Sequence, residues 1–117
     1  MKRILLVDDL AEFVEVEKAY LNEYDESFDI ETLSDPEEAM ALLEKKNFDL
    51  IVMDIMMPRK DGLTLLREIR RKYDIPVIIY SAYVHLYQPT ELLEQGADCV
   101  VSKPANMEFL INQIRDL

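Results

Sequence analysis

Residues 50–54 read Leu-Ile-Val-Met-Asp, a run of four apolar side chains that ends in a carboxylate. Three other apolar runs of strand length stand at residues 4–7 (ILLV), 76–80 (PVIIY) and 99–101 (CVV). Runs of this kind leave neither face of a strand polar, which is typical of central strands in a parallel sheet covered on both sides. A weaker strand over residues 28–33 alternates apolar and polar side chains and is expected at an edge of the sheet.

Helical patterns fill the intervals between these strands. The start of the second helix is the clearest, since Asp35 can accept backbone N–H bonds as N-cap, Pro36 suits the first helical position and Glu38 follows three residues after the cap. A short fourth helix is expected over residues 89–95, ended by Gly96. The apolar positions are Leu10, Phe13, Val16, Tyr20 and Leu21 in the first helix, Ala39, Met40, Leu42 and Leu43 in the second, Leu65, Leu66 and Ile69 in the third, and Phe109, Leu110, Ile111 and Ile114 in the last.

This order of strands and helices predicts the fold class. Five strands that alternate with five helices indicate an α/β doubly wound parallel sheet, because right-handed crossovers place helices on both faces. No linker, repeat or low-complexity stretch interrupts the pattern. We therefore expect residues 1–117 to form a single domain.

The composition excludes several classes of protein. Asp and Glu number 24 against 13 Lys and Arg, a formal charge of −11, and this excess disfavours direct binding to nucleic acid, which needs clustered cations. The single cysteine, Cys99, excludes an internal disulfide framework and favours a reducing, cytoplasmic setting. No apolar run approaches the roughly 18 residues of a spanning helix, so no membrane association is expected.

Polar side chains follow four of the predicted strands at the point where each strand ends. They are Asp8 and Asp9 after the first, Asp54 after the third, Ser81 after the fourth, and Ser102, Lys103 and Pro104 after the fifth. Ligands of open parallel sheets bind beyond the carboxyl ends of the strands. The sequence therefore brings three carboxylates, hydroxyls and an ammonium to one edge of the sheet.

These residue types predict a metal and a phosphoryl group. Three clustered carboxylates repel one another unless a cation lies among them, and oxygen ligands without His or thiolate favour Mg²⁺, which commonly shares itself between carboxylates and a phosphate. Lys103 and Ser81 can then contact phosphoryl oxygens. With Gly62 and Gly96 as the only glycines, no glycine-rich loop can hold a nucleotide. Asp54 is therefore the candidate to attack phosphorus itself, forming an aspartyl-phosphate.

Five short motifs stand in order along the chain: Asp8-Asp9, residues 53–58 (MDIMMP), Asp61-Gly62, Ser81-Ala82 and Lys103-Pro104. At this joint spacing the sequence resembles a response-regulator receiver domain of two-component signal transduction, similar to the chemotaxis regulators, over essentially its whole length. The resemblance implies a flavodoxin-like sheet with strand order 2-1-3-4-5.

The resemblance also implies a role for each site residue. Asp54 would accept the phosphoryl group, Ser81 would be the switch hydroxyl and Lys103 would pair with the phosphoryl group. Asp9 would bind Mg²⁺ directly, Asp8 largely through water, and Met56 through its backbone carbonyl. The Lys103–Pro104 peptide bond is expected to be cis, as it often is in this family.

The sequence departs from the family pattern near the switch. Many receiver domains carry Tyr or Phe three residues before the lysine, where this chain has Val100, so an aromatic switch would be absent or displaced onto Tyr83 or Tyr87. The positions that influence phosphate lifetime hold Met56 and Tyr83. Both side chains are large and cannot position a hydrolytic water, which predicts slow self-dephosphorylation.

Several other residues have structural interpretations. We expect Gly62 to adopt a positive φ in a turn after Asp61, His85 to lie on the surface or face a partner, and Cys99 to pack as a small apolar residue. The basic run Arg67, Arg70, Arg71 and Lys72 is expected to form the solvated face of the third helix.

The resemblance implies a phospho-accepting switch that takes its phosphoryl group from a sensor histidine kinase or a histidine phosphotransfer protein. Such a domain catalyses only its own phosphorylation and slow dephosphorylation, and so is not an enzyme with a separate substrate. Its output domain or effector is not identified by the sequence, and a homodimer through the surface of helix four, strand five and helix five is a possibility.

Two alternatives stand beside this prediction. The first is a receiver-like interaction module that works without phosphorylation, which the complete acidic triad with Ser81 and Lys103 disfavours. The second is a metal-dependent phosphatase, which needs a general acid two residues after its nucleophile, where this chain has Met56.

Overall fold

A computed structural model describes residues 2–57, 60–103 and 107–117. Its centre is a parallel sheet with strand order β2-β1-β3-β4-β5, which confirms the predicted fold class and order. The strands are β1 (Arg3–Val7), β2 (Asp29–Leu33), β3 (Leu50–Met53), β4 (Val77–Ser81) and β5 (Cys99–Ser102).

The helices that follow the strands are α1 (Ala11–Tyr24), α2 (Ala39–Lys45), α3 (Gly62–Lys72), α4 (Pro89–Glu94) and α5 (Met107–Asp116). Short 3₁₀ turns precede α2 (Pro36–Glu38) and α4 (Val84–Leu86). Asp35 caps the first of these turns, accepting from the backbone N–H of Glu37 at 3.0 Å. The predicted start is therefore right, although its first turn is 3₁₀ rather than α-helical. Within the described residues, no helix combines the length and the apolar character needed to cross a membrane.

Two apolar layers enclose the sheet. On one face α2, α3 and α4 bury Leu43, Leu65 and Leu92 against the side chains of alternate strand residues. On the other face α1 and α5 bury Leu21 and Ile114 in the same way. Successive strand residues point to opposite faces, which is why the central strands read as unbroken apolar runs.

The two edges of the sheet differ from their predicted character in one respect. Strand β2 lies at an edge, as its alternating pattern indicated. Strand β5 was grouped with the central strands, but it forms the other edge, and its Cys99 and Val100 are only partly buried. Three apolar residues are too few to distinguish a central strand from an edge strand that one helix covers.

The apolar pattern assigned to α1 is mostly wrong. Leu21 is buried, but Leu10, Val16 and Tyr20 are half exposed, and Phe13 retains 57% of its accessible surface. The residue that packs beside Leu21 is Val14, whose face of the helix the apolar count did not select. Helix α1 therefore carries apolar side chains on its outer face as well as its inner face, so an apolar count alone could not identify the buried side.

Charged side chains near the amino ends of the strands form short hydrogen bonds with the backbone. Asp49 accepts from the backbone N–H of Arg3 at 2.7 Å. Asp98 accepts from the N–H of Val77 at 2.8 Å and from the Arg70 guanidinium at 2.7 Å. Arg70 also donates to the carbonyls of Gly96 at 2.8 Å and Ile75 at 2.6 Å. Its predicted place on a solvated face is therefore wrong: Arg70 ties the end of α3 to the starts of β4 and β5.

Candidate functional site

Two of the carboxylates predicted at the carboxyl ends of the strands, Asp8 and Asp54, lie next to the ammonium group of Lys103. Its Nζ is 2.9 Å from Asp8 Oδ2 and 3.4 Å from Asp54 Oδ2. It also lies 5.0 Å from the centre of the Tyr80 ring, within the range of a cation–π contact. The side chain is only 19% exposed. A single, largely buried cation thus joins the ends of β1, β3 and β5.

The backbone explains why these side chains converge. Val7 and Met53 are paired in the β1–β3 register, and the N–H of Asp54 donates to the carbonyl of Val7 at 3.1 Å. Asp8 and Asp54 therefore leave the sheet side by side. At the other side, the N–H of Lys103 donates to the Ser81 carbonyl at 2.9 Å, which extends the β4–β5 pairing up to the lysine.

A third carboxylate in contact with Lys103, which sequence reasoning missed, belongs to the same cluster. Glu17 on α1 places Oε1 2.8 Å from Lys103 Nζ, closer than Asp54, and its side chain is 16% exposed. The sequence held a signal for it, because Glu17 stands three residues after Val14 and four before Leu21. These three residues share one face of a helix, and that face packs on the sheet.

The charges of the cluster shift several pKa values. Burial alone would lower the pKa of Lys103, but hydrogen bonds and charges from Glu17 and Asp8 outweigh it and raise the pKa well above its ordinary value. Burial raises the pKa of Glu17, opposed by its bond to Lys103. Burial and the neighbouring carboxylate of Asp8 raise the pKa of Asp9. The site therefore holds more negative charge than one ammonium can balance.

The loop after Asp54 is shaped by its own hydrogen bonds and by a glycine. Asp54 Oδ1 accepts from the N–H of Met56 at 3.2 Å. Gly62 donates to the Ile55 carbonyl at 2.6 Å, and a Cβ at Gly62 would lie 2.6 Å from Ile55 Cα and overlap the carbonyl oxygen of Asp54. The predicted positive φ of Gly62 is wrong, since among the described residues only Gly96 has one. Gly62 is instead required because α3 begins against the backbone of Asp54.

Asp61 and Ser81 make local backbone contacts next to the site. Asp61 caps α3 by accepting from the N–H of Thr64 at 2.8 Å, a structural role, as expected. Ser81 is fully buried, and its Oγ accepts from the N–H of Tyr83 at 3.1 Å. This bond uses a lone pair of the hydroxyl and leaves its proton to be donated elsewhere.

Asp8, Asp9 and Asp54, the side chains predicted to bind a metal, carry carboxylate oxygens, which suit a hard divalent cation. As they stand, no three acidic, histidine or cysteine side chains in residues 2–57, 60–103 and 107–117 are grouped closely enough to hold an ion. Both oxygens of Asp8 are already in hydrogen bonds. Its Oδ2 accepts from Lys103, and its Oδ1 accepts from the N–H of Leu10 at 3.1 Å. A metal would therefore have to share these carboxylates with Lys103. Asp9 faces an open depression of about 410 Å³ at the start of α1.

The residues near the predicted switch line a second depression, between α4 and β5. Val84, His85, Tyr87, Leu92 and Val100 contribute to this groove of about 690 Å³. His85 is exposed, as expected, and its Nδ1 lies 3.1 Å from the carbonyl of Ala82.

The neighbours of Val100 and Cys99 complete this region. Tyr83 is half exposed. Cys99 packs partly against the α5 side of the sheet and its Sγ lies 3.4 Å from Gln113 Oε1. The expected cis bond between Lys103 and Pro104, and Pro58 of the 53–58 motif, fall outside the described residues.

Comparison with known proteins finds relatives that match nearly the full length of this chain. A family model for the response regulator receiver domain matches residues 4–115. The transcriptional regulatory protein CpxR of Klebsiella pneumoniae is 38% identical over 115 residues, which are 98% of this chain and 48% of that protein. The response regulator ArlR of Staphylococcus aureus is 33% identical over 118 residues, covering 98% of this chain and 52% of ArlR. The chain thus spans about half the length of these curated relatives.

A solved structure shares the fold. The response regulator TrrA of Thermotoga maritima, crystallised in complex with Mg²⁺–BeF, is 37% identical and superposes with a TM-score of 0.86. The match covers 99% of this chain and 98% of TrrA.

Proposed function

The chain belongs to the response regulator receiver domain family, and on that premise we propose that it is a phospho-accepting switch with Asp54 as the acceptor. The donor would be the phosphohistidine of a sensor histidine kinase or of a histidine phosphotransfer protein. The observation that carries this proposal is the position of Lys103, whose ammonium lies within 3.4 Å of both Asp8 and Asp54. That arrangement puts a fixed positive charge where phosphoryl oxygens would develop negative charge.

The proposed transfer is a substitution at phosphorus. A carboxylate oxygen of Asp54 attacks the phosphorus, a P–O bond forms, and the P–N bond of the phosphohistidine breaks, with its electron pair returning to the imidazole. Lys103 would bond to one phosphoryl oxygen and offset the added charge. The N–H of Met56, which donates to Asp54 Oδ1 at 3.2 Å, orients the carboxylate.

We propose Mg²⁺ as the metal of this reaction, since TrrA was crystallised with Mg²⁺–BeF and the carboxylates here are oxygen donors suited to it. Asp9 and Asp54 would bind it directly, Asp8 through water, and Met56 through its backbone carbonyl. Bound there, the metal supplies positive charge to the phosphoryl oxygens.

Ser81 and Lys103 would transmit the change. Ser81 Oγ accepts from the N–H of Tyr83, so a rotation of the Ser81 side chain that carries Oγ to a phosphoryl oxygen would move it away from that N–H and release the turn before α4. The surface formed by α4, β5 and α5 would then change its affinity for an output domain or effector, or for a second copy of the chain. The groove beside Val100, with Tyr83 and Tyr87 next to it, is the region most directly connected to this turn.

The lifetime of the phosphoryl group would be long. Met56 is 44% exposed and Tyr83 45%, and neither side chain can hold a water molecule in line for attack. A half-life of only seconds without a phosphatase would contradict this expectation.

The direct test is intact mass after incubation with acetyl phosphate, with and without Mg²⁺. We expect the wild type to gain one phosphoryl group only with Mg²⁺, and Asp54→Asn to gain none. Asp49→Asn, at the opposite end of β3, is the matched control and should behave as the wild type.

A wild type that stays unmodified with acetyl phosphate and with phosphorylated histidine kinases, while folded and supplied with Mg²⁺, would favour the phosphorylation-independent interaction module. Modification that persists in Asp54→Asn would contradict Asp54 as the acceptor.

A further inference from the structure

We propose that Glu17 is a positioning residue that competes with the phosphoryl group for Lys103 and so links the phospho-acceptor site to α1. The inference rests on the proposed function and deepens it. It starts from the short contact between Glu17 Oε1 and Lys103 Nζ, 2.8 Å, against 3.4 Å between Lys103 and Asp54. In this state, the lysine is held toward α1 rather than toward the acceptor.

The burial of Glu17 indicates that this contact is specific rather than a surface pairing. Its side chain is 16% exposed and that of Lys103 is 19% exposed, whereas most of the carboxylates on α1, such as Glu12 and Glu15, are exposed. A carboxylate removed from water needs a compensating partner. For Glu17 that partner is Lys103, so drawing the ammonium away leaves a buried charge poorly balanced.

The sign of the effect follows from the charges. A phosphoryl group on Asp54 would draw the ammonium of Lys103 toward itself, and Glu17 opposes that movement by holding the same ammonium. Without the Glu17 charge, Lys103 would be freer to bind phosphoryl oxygens. It would also bond more fully to Asp8 and Asp54, two of the carboxylates proposed to hold Mg²⁺. Removing the charge should therefore strengthen binding of a phosphoryl-like anion and weaken binding of Mg²⁺.

The position of Glu17 on α1 gives the competition a consequence for the helix. Glu17 lies between Val14 and Leu21 on the face of α1 that packs on the sheet, so its bond to Lys103 also ties α1 to the site. Transfer of Lys103 to a phosphoryl group would thus weaken the hold of α1 on the site. A chain with an apolar residue at this position would lack that connection.

The experiment compares Glu17→Gln with Glu15→Gln, which removes the same charge from the same helix. Glu15 is exposed, and its carboxylate accepts from Thr32 Oγ1 at 2.7 Å, away from Lys103. For each variant and the wild type, the dissociation constant of Mg²⁺ is measured by calorimetry. The dissociation constant of beryllofluoride, a tetrahedral phosphoryl mimic, is then measured at saturating Mg²⁺.

For Glu17→Gln we expect Mg²⁺ to bind about threefold to tenfold more weakly and beryllofluoride to bind tighter by a similar factor. Glu15→Gln should leave both constants near the wild-type values. Changes in opposite directions distinguish the competition from simple damage to the site, which would weaken both ligands. If Glu17→Gln does not fold, Glu17→Met replaces it, because an apolar side chain of similar length removes the demand for a buried partner.

Two results would overturn the inference: both constants changing in the same direction, or Glu17→Gln matching Glu15→Gln. Failure of the wild type to gain a phosphoryl group from acetyl phosphate would instead count against the proposed function. The Mg²⁺ measurement needs no phosphoryl transfer, so an unchanged Mg²⁺ affinity in Glu17→Gln would overturn the competition even then.

Discussion

At the end of the sheet where the strands begin, the amino edge, Asp98 accepts from the Arg70 guanidinium and from the N–H of Val77. At the end where the strands finish, the carboxyl edge, Asp8, Asp54 and Glu17 share the single ammonium of Lys103. The same residue types occur at both edges, but the ratio of carboxylates to cations differs. A one-to-one pairing that also bonds the backbone stabilises the fold, whereas a surplus of carboxylates leaves charge for a ligand to neutralise.

The largest effect is expected from a substitution at the amino edge. Replacing Arg70 by Met removes the donor to three partly buried backbone carbonyls, those of Gly96, Tyr73 and Ile75, and the partner of Asp98. We expect a loss of about 3 kcal/mol in the free energy of unfolding. Arg67→Met is the control, since Arg67 is exposed and, among the described residues, donates to the Gln95 side chain rather than to a backbone carbonyl; it should cost less than about 0.5 kcal/mol.

Urea unfolding of both variants, with and without Mg²⁺, provides the measurement. Equal losses for Arg70→Met and Arg67→Met would show that the amino edge is not the stabilising one. The loss in Arg70→Met should be the same with and without Mg²⁺.

The second prediction concerns the stability that Mg²⁺ adds at the carboxyl edge. Mg²⁺ at a hundredfold excess over its dissociation constant should stabilise the wild type by about 2.7 kcal/mol. Asp9→Asn should lose most of that gain at the same concentration. Because burial and Asp8 raise the pKa of Asp9, its charge opposes folding without metal, and Asp9→Asn should slightly raise the unfolding temperature of the metal-free protein.

Asp98→Asn is the matched variant at the other edge. It should destabilise the protein and keep the full response to Mg²⁺, measured as the shift in thermal unfolding temperature. An equal Mg²⁺ response in Asp9→Asn and the wild type would remove Asp9 from the metal site.

The smallest expected effect concerns Asp25, in the turn that leads into β2. Hydrogen bonds from the hydroxyl of Ser27 at 2.5 Å and its N–H at 2.9 Å lower the pKa of Asp25. A carboxyl whose pKa is lowered on folding stabilises the fold above its ordinary value of 3.8, and loses this contribution as pH falls through the lowered value. Ser27→Ala should therefore lower the urea midpoint slightly at pH 7, and the difference should shrink in acid. A difference that grows as the pH falls would contradict the sign.

How far the sequence predicted the molecule depends on which interaction determined each position. The strands and the side chains at their ends could be predicted, because buried apolar runs and the carboxylates after them follow from burial and chain direction alone. The order of the strands in the sheet was implied by the resemblance to receiver domains. Residues whose role depends on a partner distant in sequence could not. Arg70 was assigned to solvent because its acceptors, such as Gly96 and Asp98, come from a later part of the chain.

Gly62 and Glu17 illustrate the same limit. A turn was the local explanation for Gly62, yet the residue is needed because the backbone of Asp54 lies against it. In the sequence, Glu17 resembles the other acidic residues of α1. Its inward position becomes clear only because Val14 is buried and Val16 is exposed. The roles of both residues depend on the packing of a helix against a strand end.

The position of β1 has a consequence for how the chain is made. Its neighbours in the sheet are β2 and β3, and both follow it in the chain, so β1 is paired on both edges only after Leu50–Met53 has been synthesised. At about 5–20 residues per second, the apolar residues of β1 wait for seconds with unpaired backbone groups. During that interval, β1 presents unpaired backbone groups to which a strand of another chain could add.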